Sequence, residues 1–264
     1  MPDVSVERTG HVVTIAIDRP ERRNAFTLEV LDDIVAALEG LRRDRDCRAV
    51  ILTGRGGAFC AGVDLSVIER MKAEGAAEPH HWKALLSDRV HRIALALEDF
   101  DKPVIAAVSG PAYGAGMDLA LMCDMRFAGE SARFCEAYIN LGVVPGDGGC
   151  YYLPRIVGLP KALELLLSGR VVDAAEAREI GLANRVCADD SLMAETTAFA
   201  EVLAAKSPVA LRLVKRATYQ SLGTDLRTSL DLISSHMAVV QSLDDTAEAA
   251  RALAARETPR FGED

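Results

Sequence analysis

Two glycine-bearing turns constrain this chain more than any other feature. The first is Gly57-Ala58-Phe59-Cys60-Ala61-Gly62-Val63-Asp64-Leu65, and the second is Ser109-Gly110-Pro111-Ala112-Tyr113-Gly114-Ala115-Gly116-Met117-Asp118. Each opens a predicted helix, and the second follows directly on the apolar strand Val104–Val108. A helix start presents free backbone N–H groups and the positive end of a dipole. Two such turns brought together can hold one developing negative oxygen between two donors, as an oxyanion hole does. That points to acyl chemistry stabilised by backbone rather than by metal or nucleophile. Taken singly, each also reads as an ordinary tight turn ahead of a helix.

The rest of the chain alternates strands and helices, the pattern of an α/β layer structure. Val4–Arg8 and Val12–Ile17 read as strands meeting at Thr9-Gly10. Leu28, Leu31, Ile34, Val35 and Leu38 share one face of a helix expected from Thr27 to Arg43. Ala49–Thr53 and Val104–Val108 are continuous apolar runs of the buried parallel type. A short helix is expected from Asp64 to Ile68, a polar, mobile break from Gly75 to His81, and a long helix from Trp82 to Glu98. Short strands near Met125–Ala128 and Arg133–Cys135 precede a turn at Gly146. Beyond Asp190 the pattern is helical only.

Composition narrows the function. A net charge of −9 argues against general nucleic-acid binding. Six cysteines at scattered spacings include no C-x-x-C pair, so they read as reduced thiols rather than zinc ligands. No apolar run approaches the roughly twenty residues of a membrane span. The N-terminus alternates like a strand and not like a signal peptide. The expectation is a cytoplasmic protein with no membrane or nucleic-acid partner. No G-x-S-x-G elbow is present, and the second turn lacks the third glycine of a dinucleotide fingerprint.

Together with Asp18-Arg19-Pro20, Arg23-Asn24-Ala25, Lys102–Val108, Leu141–Gly146, Leu153–Gly158, Ser168-Gly169-Arg170 and Glu176–Leu182, the two turns resemble the crotonase, or enoyl-CoA hydratase/isomerase, family in the family's order. The resemblance implies a crotonase-like spiral of ββα repeats over residues 1–190. It implies a C-terminal helical region, 191–264, that packs on the core and on neighbouring subunits in a homotrimer or homohexamer. It implies an acyl-CoA thioester substrate in fatty acid metabolism, with coenzyme A as part of the substrate and no permanently bound cofactor or metal. It puts the two oxyanion donors on the N–H groups of Ala61 and Ala115. It lays Arg22, Arg23, Ala25, Ala61, Asp64 and Leu65 along coenzyme A. Phosphates favour such arginines, although a solvated loop of charge reads the same way.

At the acid–base positions the chain departs from the hydratase pattern of two glutamates around a water. The first falls on Asp118, three residues after Ala115, with a reach shorter by about 1.5 Å. The second falls on Tyr138, whose phenol, with an ordinary pKa near 10, is no carboxylate base. If that segment is extended, Glu136 points the same way and partly substitutes. Asp147 lies at the turn where other family branches carry a working aspartate, so Asp118 and Asp147 are expected to pair across the acyl chain. Each aspartate has a bland alternative, since one in a first helical turn stabilises the helix by about 1 kcal/mol. The leading expectation is an enzyme that holds a thioester enolate and moves protons with Asp118, Asp147 and Tyr138. A lone base suits double-bond isomerisation better than efficient hydration. The alternatives are hydrolysis of a CoA ester or a β-dicarbonyl bond, and a non-catalytic acyl-CoA-binding subunit.

Overall fold

The computed structural model describes residues 2–64, 66–67, 69 and 78–262. Strands β1 (Val4–Thr9) and β2 (Val12–Ile17) form the expected hairpin, with Thr9 opposite Val12. From β2 onward the main sheet is parallel and runs through β3 (Ala49–Gly54), β4 (Val104–Val108), β6 (Met125–Gly129) and β9 (Arg185–Cys187). A smaller sheet holds β5 (Pro111–Tyr113), β7 (Arg133–Cys135) and β8 (Val172–Asp173). Successive turns of chain therefore contribute one strand to each layer: β4 then β5, β6 then β7. The first glycine turn joins the smaller layer through a parallel bridge between Cys60 and Ala112.

Both faces of the parallel sheet are covered, which is why its strands are apolar without alternation. Val50 and Leu52 face one core cluster, while Ala49 and Ile51 face the other. The first face is covered by α1 (Leu28–Arg43), whose buried stripe includes Val30, Ile34, Val35 and Leu38. Thr27 Oγ1 accepts the Val30 N–H at its start, and Lys102 Nζ donates to the carbonyls of Leu41 and Asp44 at its end. A cation there offsets the unpaired carbonyls and the negative helix end. The second face is covered by α8 (Leu192–Ala204), through Leu192, Ala200 and Ala204.

Helix α2 (Pro79–Leu85) begins earlier than its pattern suggests, because Pro79 occupies its first turn with φ already helical. His80 and His81 are thus exposed helical residues and not part of a break, while 75–77 lie outside the described residues. A π-helical turn, Leu86–Val90, joins α2 to α3 (His91–Glu98). Arg89 and Arg92 both pair with Asp32 of α1 and hold this hairpin of helices together. Of the helix expected at Asp64–Ile68, Leu65 and Ile68 lie outside the described residues. The remaining helices are α4 (Ala115–Met122), α5 (Gly149–Val157), α6 (Leu159–Ser168), α7 (Ala174–Glu179), α9 (Pro208–Ser221), α10 (Leu226–Gln241) and α11 (Asp244–Ala255).

All eight residues of α4 are buried, and its N-terminus rests directly on the first glycine turn. Phe59 and Cys60 donate their N–H groups to Pro111 O, at 3.1 and 3.0 Å, and Tyr113 donates back to Cys60 O at 3.0 Å. A Cβ at Gly116 would lie 2.2 Å from Cys60 O, so only glycine lets helix and turn touch. Gly116→Ala is expected to lower stability by about 1–3 kcal/mol, the usual cost of overpacking. Urea unfolding measures it, and an unchanged midpoint would mean that the close approach is not required.

Candidate active site

The first turn is fixed from below by Asn24. This fully buried side chain accepts the Arg19 N–H at 2.8 Å and donates to Arg55 O at 2.8 Å and Ala58 O at 2.6 Å. The same loop takes up a donor expected to face the substrate. The Ala61 N–H donates to Arg23 O at 3.0 Å, so Ala61 is part of the scaffold and not a free oxyanion donor. Two residues on, the Val63 N–H has no hydrogen-bond partner among the described residues. The bonds on either side of it, Phe26 N–H to Gly62 O and Asp64 N–H to Phe26 O, turn it outward, and Val63 is 41% exposed. The Ala115 N–H, in the first turn of α4, is likewise unpaired among the described residues. A Cβ at Gly62, where φ is +100°, would lie 2.9 Å from Tyr113 O and 3.9 Å from Ala115 N. The Gly62-Val63 segment and the start of α4 therefore adjoin.

One turn into α4, Asp118 points into a small acidic chamber. Tyr138 Oη lies 2.8 Å from Asp118 Oδ2 and 2.8 Å from Asp147 Oδ2. The two aspartates are thus bridged by one phenol, which stands between them. The Tyr138 ring also lies 3.8 Å from the point where Gly114 would carry a Cβ, which places it beside the second turn. Residues 137–141 form a 3-10 turn and not an extended segment. Even so, Glu136, at the head of that turn and 1% exposed, comes beside Asp118. A Cβ at Gly149 would lie 2.5 Å from Asp118 Oδ1 and 2.8 Å from Glu136 Oε1. The start of α5 must be glycine for these two carboxyl groups to meet over it.

Among the described residues no lysine or arginine neutralises this chamber, so charge is costly in it. Burial, and then the Asp147 charge, lift the Asp118 carboxyl to about 7 against the opposing hydrogen bond from Tyr138. Burial also raises Asp147, opposed by Tyr138 and by His91. His91 went unmarked in the sequence. Its Nε2–H donates to Gly146 O at 2.9 Å and anchors the loop that carries Asp147. Burial and the two neighbouring carboxylates push the Tyr138 phenol well above its ordinary value.

The residues expected along coenzyme A divide. Arg22 and Arg23 are exposed on the turn that adjoins Ala61 and form no ion pair among the described residues. Ala25 is buried and its carbonyl accepts from Arg19 Nη1. Asp64 faces inward, against expectation. It pairs with Arg19 Nη2 at 3.1 Å and accepts from Ser66 N and Oγ, at 3.0 and 2.8 Å, so its carboxylate caps the turn. Leu65 lies outside the described residues.

Asp118 also makes a stability prediction. Unfolded, its carboxyl titrates near 4; folded, at about 7. Below about 4 both states hold the proton. Between those values the folded state keeps a proton that the unfolded state has released, so stability falls as pH rises, and the deficit is complete above 7. Asp118→Asn removes the deficit, and its melting temperature is expected to gain on the wild type between pH 5 and pH 8. A gap that stays constant or narrows would contradict the raised pKa.

Comparisons with known proteins identify the family. The family model for enoyl-CoA hydratase/isomerase matches residues 7–264. A putative enoyl-CoA hydratase of Thermus thermophilus is 38% identical over 98% of this chain and 100% of its own. The 2,3-dehydroadipyl-CoA hydratase of Escherichia coli is 34% identical over 99% of both. The crystal structure of an enoyl-CoA hydratase from Bacillus anthracis superposes with a TM-score of 0.91 at 34% identity, over 98% of this chain and 99% of that one. The chain folds as a crotonase and belongs to the enoyl-CoA hydratase/isomerase family of acyl-CoA-processing enzymes.

Proposed function

We propose that the enzyme shifts the double bond of an enoyl-CoA thioester by proton removal and return. The observation that carries this reading is the single phenol shared by Asp118 and Asp147. Tyr138 has one hydrogen and two close carboxyl oxygens at 2.8 Å each. It donates to one and accepts from the other, so one aspartate is ionised and its partner is protonated. The shared proton moves between the two. With it on Asp118, Asp147 is the anion that raises Asp118; with it on Asp147, Asp118, reached by the phenol hydrogen, is the base and Asp147, donating to the phenol oxygen, is the acid.

In this reading the thioester oxygen sits between the Val63 and Ala115 N–H groups. Asp118 takes the proton at C2 of a 3-enoyl-CoA, and the electron pair of that C–H bond moves into a dienolate. The two backbone donors stabilise the developing oxyanion, an effect worth about 10²- to 10³-fold per donor. Asp147 returns a proton at C4, and the electron pair closes the new bond between C2 and C3. The hydrogens of the Asp118–Tyr138–Asp147 chain then move one place along, which resets base and acid with no net change. Arg22 and Arg23 contact the phosphates of coenzyme A. The exposed apolar residues Val214, Leu226, Leu230, Met237 and Leu253 of α9 to α11 pack against neighbouring subunits. Six unpaired cysteines fit a reducing cytoplasm.

Hydration is the second reading, favoured by the hydratase names of the relatives. It requires a water where the phenol now stands between the carboxyl groups. Turnover of 3-hexenoyl-CoA and crotonyl-CoA, measured side by side, separates the two. The expected outcome is a shifted double bond with little hydration. Asp118→Asn is expected to lower the isomerisation rate by about 10²- to 10⁴-fold, the scale of a lost general base. Faster hydration of crotonyl-CoA would install the hydratase reading instead. Silence on both substrates, with CoA-ester binding retained and indifferent to Asp118→Asn and Asp147→Asn, would make the chain a binding subunit. For the assembly, sedimentation at micromolar protein is expected to give three or six times the 28.3 kDa chain mass; a monomer would exclude it.

A further inference from the structure

The acidic chamber contains more acceptors than donors. Among the described residues, Asp118 Oδ1, Glu136 Oε1 and Glu136 Oε2 are buried without a well-formed hydrogen bond, although the Gly149 N–H bears on Asp118 from nearby. Yet the Glu136 carboxyl and Asp118 Oδ1 meet over the same point above Gly149. Two ionised carboxylates have no hydrogen to share and repel at this range in a medium poor in water. The contact is favourable only when one of them carries a proton. Asp118 already accepts the phenol hydrogen on its other oxygen in the reading proposed above, so the proton belongs on Glu136.

We propose that Glu136 is a neutral carboxylic acid in the working enzyme and donates its hydrogen to Asp118 Oδ1. It is a positioning residue. It does not touch the substrate; it holds the base in place and keeps it anionic. Asp118 then accepts two hydrogen bonds, one on each oxygen, from Glu136 and from Tyr138. The chamber as a whole carries one negative charge, with protons on Glu136, on Tyr138 and on Asp147.

The neighbours of Glu136 support a neutral acid. The charged groups that bear on it are Asp118 and Asp147, both anionic when ionised, and burial together with these two lifts Glu136 to about 10. Cys135 on β7 and Cys150 on α5 face it as thiols that burial also raises. Tyr152 bears on Asp118 as a neutral phenol. His91 bears on Asp147 and not on Glu136. The described residues include no group of three or more His, Cys, Asp or Glu placed to hold a metal ion, so a proton is what neutralises the contact.

The inference rests on Asp118 as the base, and its test has one readout independent of turnover. Infrared difference spectra at pH 8 are expected to show the C=O stretch of a buried neutral carboxylic acid that disappears in Glu136→Gln. A spectrum in which no such band depends on Glu136 overturns the proposal, whatever the substrate proves to be. Kinetics supply the second arm. Glu136→Met removes the donor, and is expected to cut kcat about tenfold or more and to move the acidic limb of kcat/KM up by about one pH unit, with KM little changed, because a carboxylate that loses a donor is a stronger base. Glu136→Gln keeps an N–H donor and is expected to restore most of kcat and the wild-type pH profile. If Glu136→Gln is as impaired as Glu136→Met, Glu136 works through its own ionisation and the proposal fails. If neither enoyl-CoA turns over but the infrared band behaves as stated, the assigned reaction is wrong while the neutral Glu136 stands.

Discussion

The main-chain contact between the first glycine turn and the start of α4 is the constraint on which the site depends. Three hydrogen bonds link Phe59 and Cys60 to Pro111 and Tyr113, and Gly116 allows the helix to rest on Cys60 O. Because these are backbone contacts between buried segments, they leave little freedom to either turn. Both carry N–H groups to the same edge, those of Val63 and Ala115, that are unpaired among the described residues. The same contact sets the direction in which α4 enters the core, and thereby the position of Asp118 one turn later. The Val63 and Ala115 N–H groups and Asp118 are placed by one interlock.

The chemistry of the chamber follows from burial without a counter-charge. Arg126 and Lys215 show the contrast: the buried Arg126 donates to the carbonyls of Leu182, Ala120 and Cys123, and Lys215 pairs with Asp124. Asp118, Glu136 and Asp147 bear mainly on one another and on a phenol, with no lysine or arginine beside them among the described residues. Their protons must therefore be shared, and a carboxyl whose pKa sits near neutrality is the result. Such a cluster destabilises the folded state above neutral pH. It persists because β7, the 3-10 turn after it, α4 and α5 converge there and hold the groups together against their repulsion.

Relatives with hydratase names share about a third of their residues with this chain and the fold at a TM-score of 0.91. That likeness establishes the family and its acyl-CoA chemistry. The reaction is a property of the chamber. The Tyr138 phenol supplies a hydrogen-bond bridge between Asp118 and Asp147, and in the proposed reading it stands where a hydratase would hold a carboxylate. A scaffold that hosts several reactions changes among them by such replacements at few positions.

Much of this was legible from local pattern. The strands of the main sheet, α1 and the two turns follow from residue type and order along the chain, because periodicity and glycine act over a few residues; Asp118, Tyr138 and Asp147 were marked by the resemblance to the family and not by local pattern. What the sequence did not determine depends on which partner each group meets across the fold. Ala61 and Val63 are both small or apolar residues in one turn, and only the Arg23 carbonyl decides which N–H is spent and which is free. His91 is an unremarkable helical residue until the loop carrying Gly146 lies against it. Asp64 belongs to Arg19 because the first loop folds back on the turn. Glu136 and Asp118, eighteen positions apart in the chain, become neighbours only when α4 and α5 pack with a glycine between them. The sequence by itself determined the elements and the kinds of chemical group present. The tertiary structure decided which hydrogen bonds and protons those groups share, because that depends on distances of a few tenths of an ångström between segments remote in sequence.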